Sequence, residues 1–399
     1  MAIVAAMAVP HPPIILPEIG RGEEKKIAKT AAAYREAMRR AADLEPDTVV
    51  ITSPHATMYS DYFHISPGKS ARGDFSAFRC PEVEIEAEYD AAFSKALANA
   101  CAEEDLPAGF LGEREPALDH GTMIPLYFLQ PALKKPVKVV RIGLSGLSAD
   151  VHYRLGRLIQ DTAEKLGRRT VFIASGDLSH KLKEDGPYGF AKEGPVFDDA
   201  VTEELGKADF LSLLPISPDL AEGAAECGLR SFWIMVGALD CQRVHAELLA
   251  HEGTFGVGYG VAYFTPEGED DARDIGRQLI DAETQAIAKV REQEDAYVRL
   301  ARESLETFAR SHTMLPVPKD LPEDLQDRRA GCFVSIKKDG RLRGCIGTLA
   351  PGRRNLAEEI ICNAVSASMH DPRFPQVTPD ELPKLVYDVD VQSEPEPID

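Results

Sequence analysis

Three histidines each follow closely on a β-branched or apolar run that reads as a strand. His11 closes Ala-Met-Ala-Val-Pro-His, His55 closes Val-Val-Ile-Thr-Ser-Pro-His, and His180 closes Phe-Ile-Ala-Ser-Gly-Asp-Leu-Ser-His. In an open α/β sheet the carboxyl ends of the strands are where ligands bind. Imidazoles delivered to one such rim, two of them on stiff Pro-His turns, point to a metal or acid/base site. A fourth candidate, His120, stands in Leu-Asp-His-Gly-Thr-Met-Ile-Pro, a turn leading into a helix. Imidazole with a carboxylate suits Fe(II), Zn(II) or Mn(II), and two His with one carboxylate leave open positions on iron. The best carboxylate is Glu226, in Ala-Ala-Glu-Cys-Gly-Leu-Arg-Ser ahead of the apolar run 229–239. It reads equally as an acid favoured by a helix N-terminus, and Cys227 beside it is a competing thiolate donor. His64, His152, His245 and His251 fall inside strand or helix patterns and read as structural. His312 and His370 have no metal-site spacing around them.

Positioning these groups requires a sheet. Runs 3–9, 48–53, 137–143 and 170–175 are strand-like, and 21–42, 89–104, 151–166 and 229–239 have helical spacing. Strands alternating with helices predict an α/β fold with a central sheet flanked by helices on both faces. The runs 244–249 and 256–264 lie too close together for a crossover helix, so the sheet is expected to be mixed. The acidic, Pro/Gly-containing stretch after Phe264 reads as a boundary. The expected organisation is a first domain over 1–265, an acidic linker and helix over 266–295, and a smaller α+β domain over 296–399. The run 275–310 reads as one long helical pattern leading from the linker into that domain. Runs 332–337 and 342–347 flank an Asp339-Gly340 hairpin signal, 355–369 reads as a helix and 384–391 as a strand.

Composition narrows the partners. Of the 399 residues, 44% are hydrophobic and 28% charged, as in a globular protein. The net charge of −20 is the wrong sign for phosphate backbones or anionic membranes, so neither nucleic acid nor membrane is expected as a partner. Seven scattered Cys without a CxxC pair fit reduced thiols better than a disulfide framework. The apolar start of the chain lacks a basic leader and reads as a buried strand, and no apolar run reaches the ~20 residues of a membrane helix. A cytoplasmic location is expected.

Val-Pro-His-Pro-Pro, Ser-Pro-His-Ala, Leu-Asp-His-Gly-Thr-Met-Ile-Pro-Leu and Ser-Gly-Asp-Leu-Ser-His, in that order over residues 1–265, resemble the class III extradiol ring-cleavage dioxygenases and their Memo-like relatives. Residues 296–399 resemble the AMMECR family through Leu-Arg-Gly-Cys-Ile-Gly at 342–347 and Asp-Pro-Arg-Phe-Pro at 371–375. The fusion resembles the AmmeMemoRadiSam proteins. The resemblance implies an Fe(II)-dependent oxidoreductase that opens a catechol-like or aminophenol-like ring with O₂. In it His11 and His55 match metal ligands, with Glu226 chosen as the carboxylate ligand. His180 matches the acid/base and His120 a further active-site histidine. In the Memo branch a Cys at about the position of Cys227 lines the site. An imidazole near neutrality suits such proton transfer, with Asp177 available to orient the ring. The fusion also implies a second role, as a metal-binding component or scaffold partnered with a radical SAM protein. AMMECR domains usually continue for some dozens of residues beyond the end of this sequence, so this copy is expected to be incomplete.

Overall fold

The computed structural model describes residues 2–338 and 341–393. These divide into two compact units, Met1–Gly276 and Arg277–Asp399.

The first unit is built on a six-stranded sheet in the order Lys138–Gly143, Thr48–Ser53, Thr170–Ser175, Ile3–Val9, Tyr259–Glu269, Gln242–Glu252. The first four strands are parallel and the last two close the sheet antiparallel. Burial is continuous along Thr48–Ser53 and Thr170–Ser175, as expected of parallel strands covered on both faces. On one face Met7, Val9, Ile51 and Ile173 join a core with Tyr34, Ala37 and Met38 of helix Ala28–Asp43 and with Met123 and Ile124 of helix His120–Leu129. On the other lies the pair Ala149–Lys165 and Leu229–Ala238. These two helices cross at Gly156 and Gly237, where a Cβ would stand 2.0 Å from the Ile234 carbonyl or 1.9 Å from that of Tyr153.

The closing strand runs on to Glu269, past the expected boundary at Phe264, because Pro266 and Gly268 still pair across a bulge with Val244 and Arg243. The long helical pattern after it divides into Ile275–Glu292 and Ala296–Ser311. Asp295 breaks it by capping the second helix, accepting the Tyr297 and Val298 N–H groups at 2.9 Å each.

In the second unit the strands Cys332–Lys338, Arg341–Gly347 and Leu385–Val391 form an antiparallel sheet with Cys332–Lys338 in the centre. The turn pair Asp339-Gly340 lies outside the described residues, but its neighbours Lys338 and Arg341 are paired. Helices Ala296–Ser311 and Leu356–Met369 pack on this sheet around a separate core including Leu300, Leu305, Val334, Ile336 and Ile360. No described helix is long and apolar enough to cross a membrane.

Candidate metal centre

Strands Thr48–Ser53, Thr170–Ser175 and Ile3–Val9 are adjacent in the sheet, so their carboxyl ends open onto one rim. The rim brings together His11, His55 and His120, each offering a ligand atom within 4.8 Å of the others. His11 and His55 face each other through their Nε2 atoms at 3.0 Å. The His120 ring lies 4.0 Å from that of His55 and 5.4 Å from that of His11, centroid to centroid. His11 is buried, His120 partly buried and His55 exposed at the mouth.

Hydrogen bonds around His11 fix its tautomer. Ser175 Oγ donates its single proton to the Gly121 carbonyl at 2.6 Å, so at 3.0 Å from His11 Nδ1 it can only accept. Nδ1 therefore carries the proton, and Nε2 presents a lone pair to the site. Gly121 is required here, since a Cβ would come within 2.4 Å of Ser53 Oγ and 3.4 Å of His11 Nδ1. The backbone N–H of His11 is anchored separately, to Asp177 Oδ1 at 2.8 Å.

His55 and His120 hang on a second network. Asp119 caps helix His120–Leu129 by accepting from Thr122 N–H at 3.0 Å, and the same oxygen accepts from Ser53 Oγ at 2.6 Å. Ser53 Oγ in turn receives the His55 N–H at 3.2 Å. Arg141, 2% exposed, closes the network on Asp119 at 2.9 Å. Burial works against the charged Asp119 carboxyl, but Arg141 with the Ser53 and Thr122 bonds holds its pKa below the usual range.

Electrostatics keep the imidazoles neutral. Burial, and then the charge His55 would carry, depress the pKa of His11 to about 3. Burial, His55 and His11 bring that of His120 to about 3 as well. Burial lowers His55 against the pull of Asp119 and Asp177, and lowers His180 against Asp177. Asp177, desolvated beneath the site, is pushed up to about 6.

The other expected residues are placed as follows. Glu226 stands outside the histidine group, and its Oε2 accepts the Leu229 N–H, the first of the helix it precedes, at 2.6 Å. Cys227 is the nearer neighbour, with Sγ 3.6 Å from His11 Nε2 and 3.3 Å from the Asp177 N–H that it accepts. It is brought there by a backbone approach so close that a Cβ on Gly176 would stand 2.1 Å from Gly228 Cα. Burial and Asp177 push its thiol pKa well up, so without a metal it stays protonated at neutral pH. His120 lies in the histidine group itself. His180 lies within electrostatic reach of His11 and His55, with its ring stacked on Tyr188 at 5.0 Å. Among the described residues neither of its ring nitrogens has a hydrogen-bond partner. Asp177, expected to orient His180, bonds the His11 backbone. Ser175, Ser53, Asp119 and Arg141 were not picked out by sequence reasoning. Asp119 alone carried a visible pattern, an Asp three residues before Thr122 at a helix start.

The residues fit a divalent ion. Two imidazole nitrogens each about 2.1 Å from one ion and at right angles stand about 3.0 Å apart, matching the His11–His55 separation. The donors are neutral, as ligation requires.

A mixed α/β sheet carrying a His-rich rim defines an α/β protein with a candidate metal centre at the carboxyl ends of its strands. Residues 5–262 match the family described as the catalytic LigB subunit of aromatic ring-opening dioxygenase, and 298–399 match AMMECR1. The chain belongs to the LigB family, fused to an AMMECR1 domain. A protein of Clostridium acetobutylicum is 38% identical over 99% of this chain and 86% of its own length. A Thermotoga maritima protein is 48% identical over 26% of this chain, and the match spans 61% of that protein. Among solved structures, Pyrococcus horikoshii PH0010 is 36% identical over 26% of this chain and 52% of its own, with TM-score 0.25. Escherichia coli JW3007 is 15% identical over 66% of this chain and 99% of its own, with TM-score 0.45.

Proposed function

We propose that the first unit is an Fe(II)-dependent extradiol-type dioxygenase acting with O₂ on a catechol-like or aminophenol-like ring. The observation that carries this reading is the convergence of His11, His55 and His120 on one point, beside an unengaged His180, in a LigB-family chain. These three histidines would hold the ion, with Cys227 at its border. When bound, ferrous iron would supply a site where a deprotonated substrate and O₂ meet and exchange electron density.

The chain's own residues account for the rest. Ser175 keeps the His11 proton on Nδ1, turned away from the site. Exposed His55 marks the mouth through which substrate enters. His180, held neutral at pH 7 by burial, is free to accept a phenolic proton at a ring nitrogen and later return it, a role typically worth ~10² to 10⁴-fold in rate. Tyr188 keeps its ring in place by stacking. The test is O₂ uptake by anaerobically prepared, iron-loaded protein across a panel of catechols and aminophenols. Uptake is expected, and His180→Ala should slow turnover by about 10²- to 10⁴-fold while keeping the metal. No uptake across the panel would reject the reading.

A second reading is favoured by the AMMECR1 unit on the same chain. There the protein is a metal-binding component or scaffold that partners a radical SAM enzyme without opening rings. Capture of such an enzyme by the full chain, together with a negative panel, is its expected signature.

A further inference from the structure

One charged surface of the second unit is built more rigidly than a solvated patch requires. Glu359, 2% exposed, accepts Thr348 Oγ1 at 2.7 Å and the Gly352 and Arg353 N–H groups at 2.8 Å each. Arg329 Nε donates to the Arg353 carbonyl at 3.2 Å, and the Leu356 N–H donates to that of Arg328 at 2.8 Å. The loop is thus pinned from beneath while the side chains of Arg329, Arg353 and Arg354 remain exposed. Arg354 is matched by Glu358 and Arg328 by Asp324. Among the described residues Arg329 and Arg353 form no ion pair.

These guanidiniums line a cavity of about 530 Å³ together with Gly352 and Glu358, the carboxylate already paired with Arg354. Arg353, Arg354 and Glu358 also border a second cavity of about 340 Å³, whose remaining walls include Met314, Leu315, Val317 and Ile361. A pocket with three arginines to one carboxylate, two of the arginines without an ion pair among the described residues, therefore adjoins a largely apolar one in a chain of net charge −20.

We propose that these two cavities form a binding site for a small organic phosphate, with the phosphoryl group between Arg329 and Arg353 and an apolar group against Met314 and Leu315. Guanidinium forks match phosphate oxygens in pairs. The negative charge of the chain favours a small ligand over a nucleic acid, which the net charge repels.

The probes are phenyl phosphate, inorganic phosphate and a single-stranded oligonucleotide, titrated calorimetrically into the full chain. Saturable phenyl phosphate binding, tighter than that of inorganic phosphate, is expected. Arg329→Ala and Arg353→Ala should each weaken it by about tenfold or more, since each removes a charge-assisted bond to the phosphoryl group. Glu358→Gln, which releases Arg354, should tighten it, an effect that simple loss of structure would not produce. Met314→Ser should weaken phenyl phosphate and leave inorganic phosphate unchanged. Absence of saturable binding at millimolar phenyl phosphate, or binding unaffected by the arginine substitutions, would overturn the proposal. So would tighter, arginine-dependent capture of the oligonucleotide.

Discussion

At the scale of single residues, the decisive features are which nitrogen of His11 carries its proton and where the Glu226 carboxylate goes. Ser175→Ala removes the acceptor that holds the proton on Nδ1 and should weaken metal binding by about 10- to 100-fold, as loss of such supporting bonds does; a competition titration measures it. Glu226→Ala should leave metal content unchanged and cost about 1 kcal/mol through the lost hydrogen bond to the Leu229 N–H. With His11 and His120 titrating near 3 and His55 lowered too, zinc affinity should fall by less than about tenfold between pH 7.5 and 5.5. Three ordinary imidazoles would lose about 10³-fold over that interval. The linked stability of the metal-free protein has a definite sign. The unfolded chain takes up protons at His11 and His120 below about 6.5 that the folded chain refuses until about 3, so acidification through that window destabilises. Asp177, raised to about 6, acts oppositely between its ordinary value and that point and offsets part of the loss. Sequence could find histidines at strand ends because a strand run followed by Pro-His is local. It could not show that His120 falls within the histidine group and Glu226 outside it, because that depends on contacts across space.

At the scale of elements, the site depends on how strand ends and helix starts are locked together. Asp119 joins the cap of helix His120–Leu129, Ser53 and the buried Arg141. Asp119→Ala should destabilise by about 3–5 kcal/mol, because it leaves a buried guanidinium unpaired; adding Arg141→Met should recover part of that loss in chemical denaturation. The parallel strands and their flanking helices were legible because continuous apolar runs alternate with helical periodicity. The extension of the closing strand past Phe264 was not, because Pro266 and Gly268 signal a break locally but are accommodated by a bulge. Nor was the division at Asp295, where one side chain caps a new helix inside an unbroken periodic pattern. The approach of Gly176 to Gly228 that carries Cys227 to the rim was equally hidden, since a glycine's neighbour across space leaves no mark in its own sequence.

At the scale of the whole molecule, the chain divides into two units with separate cores. The order of motifs revealed this division, since each family's residues are contiguous, but nothing in either segment encodes what the other is for. Separate cores predict two thermal transitions by calorimetry. A ligand stabilises only the state that binds it, so chelation should lower the transition of the LigB-family unit and leave the other unchanged. The most direct test is elemental analysis of anaerobically purified chain beside its His11→Ala, His55→Ala and His120→Ala variants, each checked for native fold. One equivalent of transition metal in the parent, lost or strongly reduced in all three variants, is the predicted result. A metal-free parent reconstituted under ferrous iron without uptake, or variants that keep a full equivalent, would contradict the account.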